Sequence, residues 1–484
     1  VYKREYPQGK LLAQTVGFTG YEGLGFMGVE RTYQDLLSSN DTSIYLTIDS
    51  SLQFVAEKAL EEAIIGYHAR GGVVVIQDPR SGKILSLAAS PSFDPNAFET
   101  TDETLFRNAA VSEPVEPGSI FKIFFIAHLL DRFQLDLDKP YFYCEEETVL
   151  GNGEVIRDFK SYGWVGFRDI VKYSINGGII QATRGLSKRE MYDFLWSAQF
   201  GQTTGIDLPF EHKGILRPTK EWGIRTAANI PMGQGVAVTS IQLISSFSAL
   251  VNGGVYHKPY VLERYTAPAR FGGMATNWTE ASASRRIVSV DASKRVTSLL
   301  SYGTMRGSTG YRARESGYDA GGKTSTSQQV NLIEGGYFSN RFNALFIAAF
   351  PEEEPRATVL VVIFDPQDAH SGGQVAAPVF ARLVPDLIRF AGLPTKGKME
   401  TYQNRILKIA REETRTKGNL VPDFRGLSLR SALALGQSLR REVESHSFNV
   451  RVESSGSGYV RNQSPAPGTP VTGDTLIRLV LGEP

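Results

Sequence analysis

The residues of this 484-residue chain best suited to chemistry lie in the run Glu116-Pro117-Gly118-Ser119-Ile120-Phe121-Lys122. A serine hydroxyl is a weak nucleophile at neutral pH and needs a base beside it. A lysine amine can be that base once burial or a neighbouring cation lowers its pKa. Pro117 and Gly118 precede an apolar stretch of helical period, which predicts a helix with Ser119 in its first turn. Residues three apart share a helix face, so the Lys122 amine would approach the Ser119 hydroxyl, while the helix N-terminus favours developing negative charge. Ser-x-x-Lys alone is a weak pattern that chance produces often, so its meaning depends on its companions.

Two companions follow in order. Ser174-Ile175-Asn176 sits just before Gly177-Gly178, at the break between two predicted helices, where a hydroxyl and an amide can face one cleft. Gly321-Gly322-Lys323-Thr324-Ser325-Thr326 then begins a predicted strand that can line the opposite wall. Together they read as a serine acyl-transferase site: nucleophile and base, proton relay, then a cation and hydroxyls for a substrate's terminal carboxylate.

These motifs need a scaffold, and the apolar patterning supplies one. SIYLTID reads as a strand leading into the helix SSLQFVAEKALEEAI, with Ser50 or Ser51 as its N-cap. GGVVVIQDPRSGKILSLAAS reads as two apolar strands around the turn from Asp78 to Gly82. From about 105 to 250 the spacing is mostly helical, with glycine-rich turns. Strands return from about 316 to 365 around the turn PEEEPR. Strands at both ends of a helical middle imply one sheet closed by distant segments with a helical lobe inserted, an α/β architecture. A helix-like run, VAAPVFARLVPDLIRFAGL, is followed by residues 393–419, which are charged and fit a linker. Residues 420–484 then hold one helix and two strands, NVRVES and TLIRLVLG, around a turn-rich segment, and form a small autonomous domain.

With these motifs in order, the chain resembles the penicillin-binding proteins, specifically the monofunctional class B transpeptidases of the cell-division type. The resemblance extends to VEPGSIFK, FGQTTGIDLPFE (200–211) with Trp222, MGQGVAVTSIQL (232–243), NGGVYHKP (252–259) and GGQVAAPVF (372–380). GYEGLGFMGVERTYQDLL resembles the end of that family's membrane-proximal pedestal, and VPDFRGLS with QSPAPGTPV resembles a PASTA domain. It implies a pedestal remnant at 1–41, a transpeptidase domain at 42–392 (an antiparallel sheet flanked by helices plus a helical lobe), the linker, and an α+β PASTA domain at 420–484.

The resemblance also implies roles. Ser119 would be acylated by the penultimate D-Ala of a peptidoglycan stem peptide, with Lys122 as general base. Ser174 would pass a proton to the leaving amine, helped by a cationic Lys323, and Asn176 would bind the donor peptide and hold Lys122. Thr324 and Thr326 would bind the terminal carboxylate, and the backbone N–H groups of Ser119 and Thr326 would form the oxyanion hole. A second stem peptide's amine would take the acyl group, and β-lactams would acylate the same serine. The departure is Ser325, on the substrate-binding strand, where the family usually has glycine. Further implied are a membrane-embedded septal glycan polymerase and other division proteins as partners. An N-terminal transmembrane helix outside this chain would place the site on the extracytoplasmic (periplasmic) side. Rival readings are a D,D-carboxypeptidase or β-lactamase-like hydrolase, and a wall-binding scaffold.

Other signals are set aside. A formal net charge of +1 provides no uniform field for nucleic acid or anionic membrane. Cys144, the one cysteine, lacks the His or Cys neighbours a metal site needs, and the histidines show no ligand spacing, so no metal or cofactor is implied. No apolar run is long enough for a membrane span. Gly23-Leu24-Gly25-Phe26-Met27-Gly28 matches a dinucleotide fingerprint, but no apolar strand leads into it, and a pedestal turn is the better reading. SLRSALALGQSLRR reads as a solvated helix face of the last domain.

Overall fold

In the computed structural model, the described residues are 4–391, apart from 40, 270–272, 281–283, 315–318 and 331–335. The C-terminal part is described at 420–425, 432, 433, 435, 436, 439, 440, 449–455 and 459–482. The chain divides into two units, Val1–Pro394 and Thr395–Pro484.

The larger unit is organised by a five-stranded sheet of β1 (Gly71–Gln77), β2 (Ile84–Ser90), β3 (Gly321–Val330), β4 (Tyr337–Phe350) and β5 (Ala357–Phe364), in the order β3-β4-β5-β1-β2. Every neighbouring pair is antiparallel. The central strands read as unbroken apolar runs because helices cover both faces. On β4, Ala344, Phe346 and Ala348 join one core, while Leu345, Ile347 and Ala349 join the other, the alternation a strand imposes.

The first face carries α1 (Ser50–Gly66) and the long helix Gly372–Ala391. The N-cap of α1 is Asp49, one residue before the serines the sequence suggested: its Oδ1 accepts from the N–H groups of Ser51 and Leu52, both at 2.9 Å. A carboxylate there also faces the positive end of the helix dipole, which a serine hydroxyl would not exploit.

The opposite face carries the inserted lobe: α2 (Phe121–Arg132), α3 (Phe167–Tyr173), α4 (Asn176–Thr183) and the buried α5 (Ser240–Val251). The lobe is less purely helical than its spacing suggested. Four three-residue strands, Phe142–Cys144, Glu147–Val149, Val155–Arg157 and Gly163–Val165, form two small hairpin pairs beside α4. Such strands are too short to show a period of two against their turns. The N-terminal residues pack Ala13 and Phe18 against Phe93; the Thr19–Gly25 bridge closes a turn at Gly20 to Gly23, Gly28 opens a short helix, and no strand leads into the glycines. No helix among the described residues is long and apolar enough to cross a membrane.

The smaller unit has a core of its own, with Val421, Phe424, Leu435, Leu439, Ile477 and Leu479 among its residues. Its described residues hold three strands where two were expected: Asp474–Gly482 pairs with Asn449–Ser455 in parallel and with Tyr459–Ser464 antiparallel. The proposed linker, 393–419, lies outside the described residues.

Candidate active site

Ser119 lies in a 3-10 turn, Gly118–Ile120, that runs directly into α2. The turn is held from outside. Val115 and Val238 exchange backbone hydrogen bonds at 2.9 and 2.8 Å, and the Gly118 N–H donates to the Gly233 carbonyl at 3.0 Å. Gly118 has a φ of 51°, and a Cβ there would stand 2.2 Å from Ser325 Oγ, so only glycine fits the approach to the facing strand. Apolar α2 side chains anchor the turn, while Ser119 itself is half-buried.

Lys122 follows one turn later and is fully buried. Its Nζ donates to the Ser174 carbonyl, to Asn176 Oδ1 at 2.7 Å and towards Ser174 Oγ at 3.4 Å. Burial brings its pKa down to about 7, opposed by the negative charge of Asp158. A lysine lowered this far is available in its neutral form near neutral pH, as a general base requires.

Ser174 and Asn176 are placed by the break between α3 and α4. Ser174 ends α3 in the left-handed region with a φ of 61°, which turns its side chain into the cleft, and Asn176 opens α4. From the other wall, Lys323 Nζ reaches Ser174 Oγ at 3.0 Å and the Thr324 carbonyl at 3.0 Å. Lys323 is fully buried too, and burial together with Lys122 pushes its pKa well below the lysine range. One hydroxyl thus joins two amines that resist being charged together, and a proton can pass along Lys122, Ser174 and Lys323.

Register on β3 decides the remaining residues. Lys323 and Ser325 pair with Ile347 and Leu345, on the lobe side of the sheet, whereas Thr324 and Thr326 alternate to the other side. Thr324 is buried, with its hydroxyl 2.6 Å from Thr309 Oγ1, while Thr326 is exposed and its hydroxyl accepts from the Gly372 N–H at 3.1 Å. Ser325 turns beneath the nucleophile turn instead of into the cleft. It is buried, and its hydroxyl has no hydrogen-bond partner among the described residues.

Two site residues escaped sequence reasoning. Glu116, three before the nucleophile, is buried and accepts from the Gly235 N–H at 2.8 Å and the Tyr337 hydroxyl at 2.9 Å, and burial raises its carboxyl to about 6. It joins the nucleophile turn to the 233–238 loop and to β4; its place inside the VEPGSIFK run was the available signal. Asp158 accepts from the N–H groups of Asn176 and Gly177 at 2.6 and 2.7 Å. Nothing in its local sequence marked it.

A half-buried serine one turn before a buried lysine, which shares a relay hydroxyl with a second buried lysine, defines an active-site-serine acyl-transferase. Residues 72–384 match the penicillin binding protein transpeptidase domain, and 419–483 match the PASTA domain. The chain therefore belongs to the penicillin-binding protein transpeptidase family. It is similar to the stage V sporulation protein D of Bacillus subtilis, with 31% identity over 99% of this chain and 76% of that protein. It shares 31% identity with a probable peptidoglycan D,D-transpeptidase PenA of Neisseria meningitidis over 81% of this chain and 70% of that protein. Among solved structures, penicillin binding protein 3 of Mycobacterium tuberculosis complexed with aztreonam matches with a TM-score of 0.74 at 27% identity, covering 81% of this chain and 91% of that one.

Proposed function

We propose that this chain cross-links peptidoglycan as a D,D-transpeptidase and that Ser119 is its acylated nucleophile. Neutral Lys122 takes the Ser119 proton as the hydroxyl attacks the penultimate D-Ala carbonyl of a donor stem peptide. The backbone N–H groups of Ser119 and Thr326 stabilise the oxyanion, each such donor contributing about 3 kcal/mol. The proton returns through Ser174 to the departing D-Ala amine. Ser174 gives its hydroxyl proton to that amine and takes the one held by Lys122, which returns to its neutral form, while Lys323 donates a hydrogen bond that keeps the Ser174 hydroxyl in line. Asn176 holds Lys122 and the donor peptide. Thr324 and Thr326 serve the terminal carboxylate, which requires the Thr324 hydroxyl to exchange its Thr309 partner for substrate. Ser325, buried under the turn, shapes Ser119's support instead of touching substrate. The reverse flow of protons activates the amine of an acceptor stem peptide, and β-lactams enter the first half of this cycle.

The observation that carries the reading is the convergence of Lys122 and Lys323 on the Ser174 hydroxyl, at 3.4 and 3.0 Å. The test is the fate of the acyl group. With a stem pentapeptide donor and an amine acceptor, the cross-linked product should dominate, and a penicillin adduct should persist for minutes or longer. Fast hydrolysis of both would establish the carboxypeptidase or β-lactamase-like alternative.

The same reading places the enzyme on the extracytoplasmic side of the membrane in septal wall synthesis, beside a membrane-embedded glycan polymerase. The family resemblance supports this. Deleting 420–484 should displace a fluorescent fusion from the septum while leaving penicillin acylation intact; unchanged localisation would leave the last domain a packing module.

A further inference from the structure

The two buried lysines face neutral oxygens: Lys122 bonds to the Ser174 carbonyl and hydroxyl and to Asn176 Oδ1, and Lys323 to the Ser174 hydroxyl and the Thr324 carbonyl. A base that accepts a proton here becomes a cation beside another lysine, in a setting that penalises charge. One carboxylate acts on this cluster. Asp158, just after the strand Val155–Arg157, directs Oδ1 at the Asn176 N–H (2.6 Å) and Oδ2 at the Gly177 N–H (2.7 Å), so both oxygens are bound to the opening N–H groups of α4. The adjacent Arg157 carbonyl accepts from Asn176 Nδ2 at 3.0 Å, which leaves Asn176 Oδ1 to face Lys122 at 2.7 Å. Residues 157 and 158 therefore fix Asn176 by backbone and side chain at once.

We infer that Asp158 is a positioning residue for the acylation step: it holds Asn176 against Lys122 and supplies the counter-charge when Lys122 takes up the nucleophile's proton. This rests on Lys122 being the general base. The carboxylate's field is felt all round it. On α2 it opposes the burial that lowers Lys122, and on the hairpin side it adds to the burial that raises the Cys144 thiol and the Tyr162 phenol. From β3, Lys323 faces Lys122 with the opposite effect on the cluster. Burial pulls Lys122 down and Asp158 alone among these groups pulls it up.

The sign of the effect follows. Lys122 works as a base only when neutral, so acylation rises as pH passes its pKa, near 7. Without the Asp158 charge, burial is less opposed, the pKa falls, and the acidic limb of the rate profile moves to lower pH. The weaker base also lowers the plateau.

The experiment measures the second-order rate of acylation by a penicillin against pH, normalised by active-site titration, for wild type, Asp158→Asn and Thr148→Val. Asparagine keeps one acceptor oxygen for the α4 N–H groups. Thr148 is buried with its hydroxyl against the Gly177 backbone, and its replacement perturbs the same packing without removing charge. The limb position is read on the folded fraction alone, so lost stability cannot mimic the shift. Expected is a limb lowered by roughly one pH unit in Asp158→Asn, the scale of a close opposite charge, with the Thr148→Val limb unmoved. An Asp158→Asn limb at or above the wild-type position, or an equal shift in Thr148→Val, would overturn the inference and leave Asp158 a helix cap. A wild type that fails to acylate at Ser119 would instead remove the acyl-enzyme reading on which it rests.

Discussion

The two walls of the cleft are built by different means. On the lobe wall, Ser119, Lys122, Ser174 and Asn176 sit at helix ends; hydrogen bonds tie Lys122 to Ser174 and Asn176, and the Gly118 N–H ties the Ser119 turn to Gly233. On the sheet wall, strand register, through pairing with Phe346 and its neighbours about 20 residues on, decides which way each of Lys323 to Thr326 points. The lobe wall is thus a network in which each loss leaves a buried polar group exposed to the cost of desolvation. The strand wall is a ruler: it sets which side chain faces the cleft, and the hydroxyl of one buried member, Ser325, has no partner among the described residues.

If that contrast holds, damage to the lobe wall should cost most. Lys122→Ala should slow penicillin acylation by roughly 10²- to 10⁴-fold, the contribution of a general base, whereas Lys323→Ala, acting through Ser174, should cost less in the same stopped-flow assay. A reversed ranking would break the comparison. The wild-type acylation rate should fall below about pH 7, where Lys122 becomes protonated, because its pKa is brought down to about 7 by burial; a profile flat down to the carboxylate range would exclude Lys122 as the base.

The join between the walls comes next. Gly118→Ala combines a φ of 51° with a Cβ 2.2 Å from Ser325 Oγ, so a thermal melt should show a loss of about 1–3 kcal/mol. Adding Ser325→Gly should recover part of it, since the two residues touch and their effects cannot add. The smallest effect is expected for Ser325→Ala. Removing an unpartnered buried hydroxyl should stabilise the protein by about 1 kcal/mol and leave acylation within about threefold; a clear loss of stability would mean the hydroxyl has a partner in solution.

The same contrast explains what could be read from the sequence. Ser119 with Lys122, and Ser174 with Asn176, were legible because the spacing that brings them together is local and helix boundaries carry signals. The strand run around Lys323 was legible as a strand. The inward turn of Ser325 and the sequestering of Thr324 by Thr309 were not, because a face is fixed only by register with distant β4. Asp158 stayed hidden for the same reason: it acts 18 residues away, across a short strand and α3, through backbone N–H groups that no side-chain pattern reveals. The Asp49 cap shows the limit at smaller scale, since any of three consecutive polar residues fitted the local rule.

The central claim is that Ser119 carries the acyl group. After exposure of the intact protein to penicillin, proteolysis and mass spectrometry should locate the adduct on the peptide containing Ser119, with no adduct in Ser119→Ala. An adduct on any other residue, or undiminished labelling of Ser119→Ala, would contradict the account.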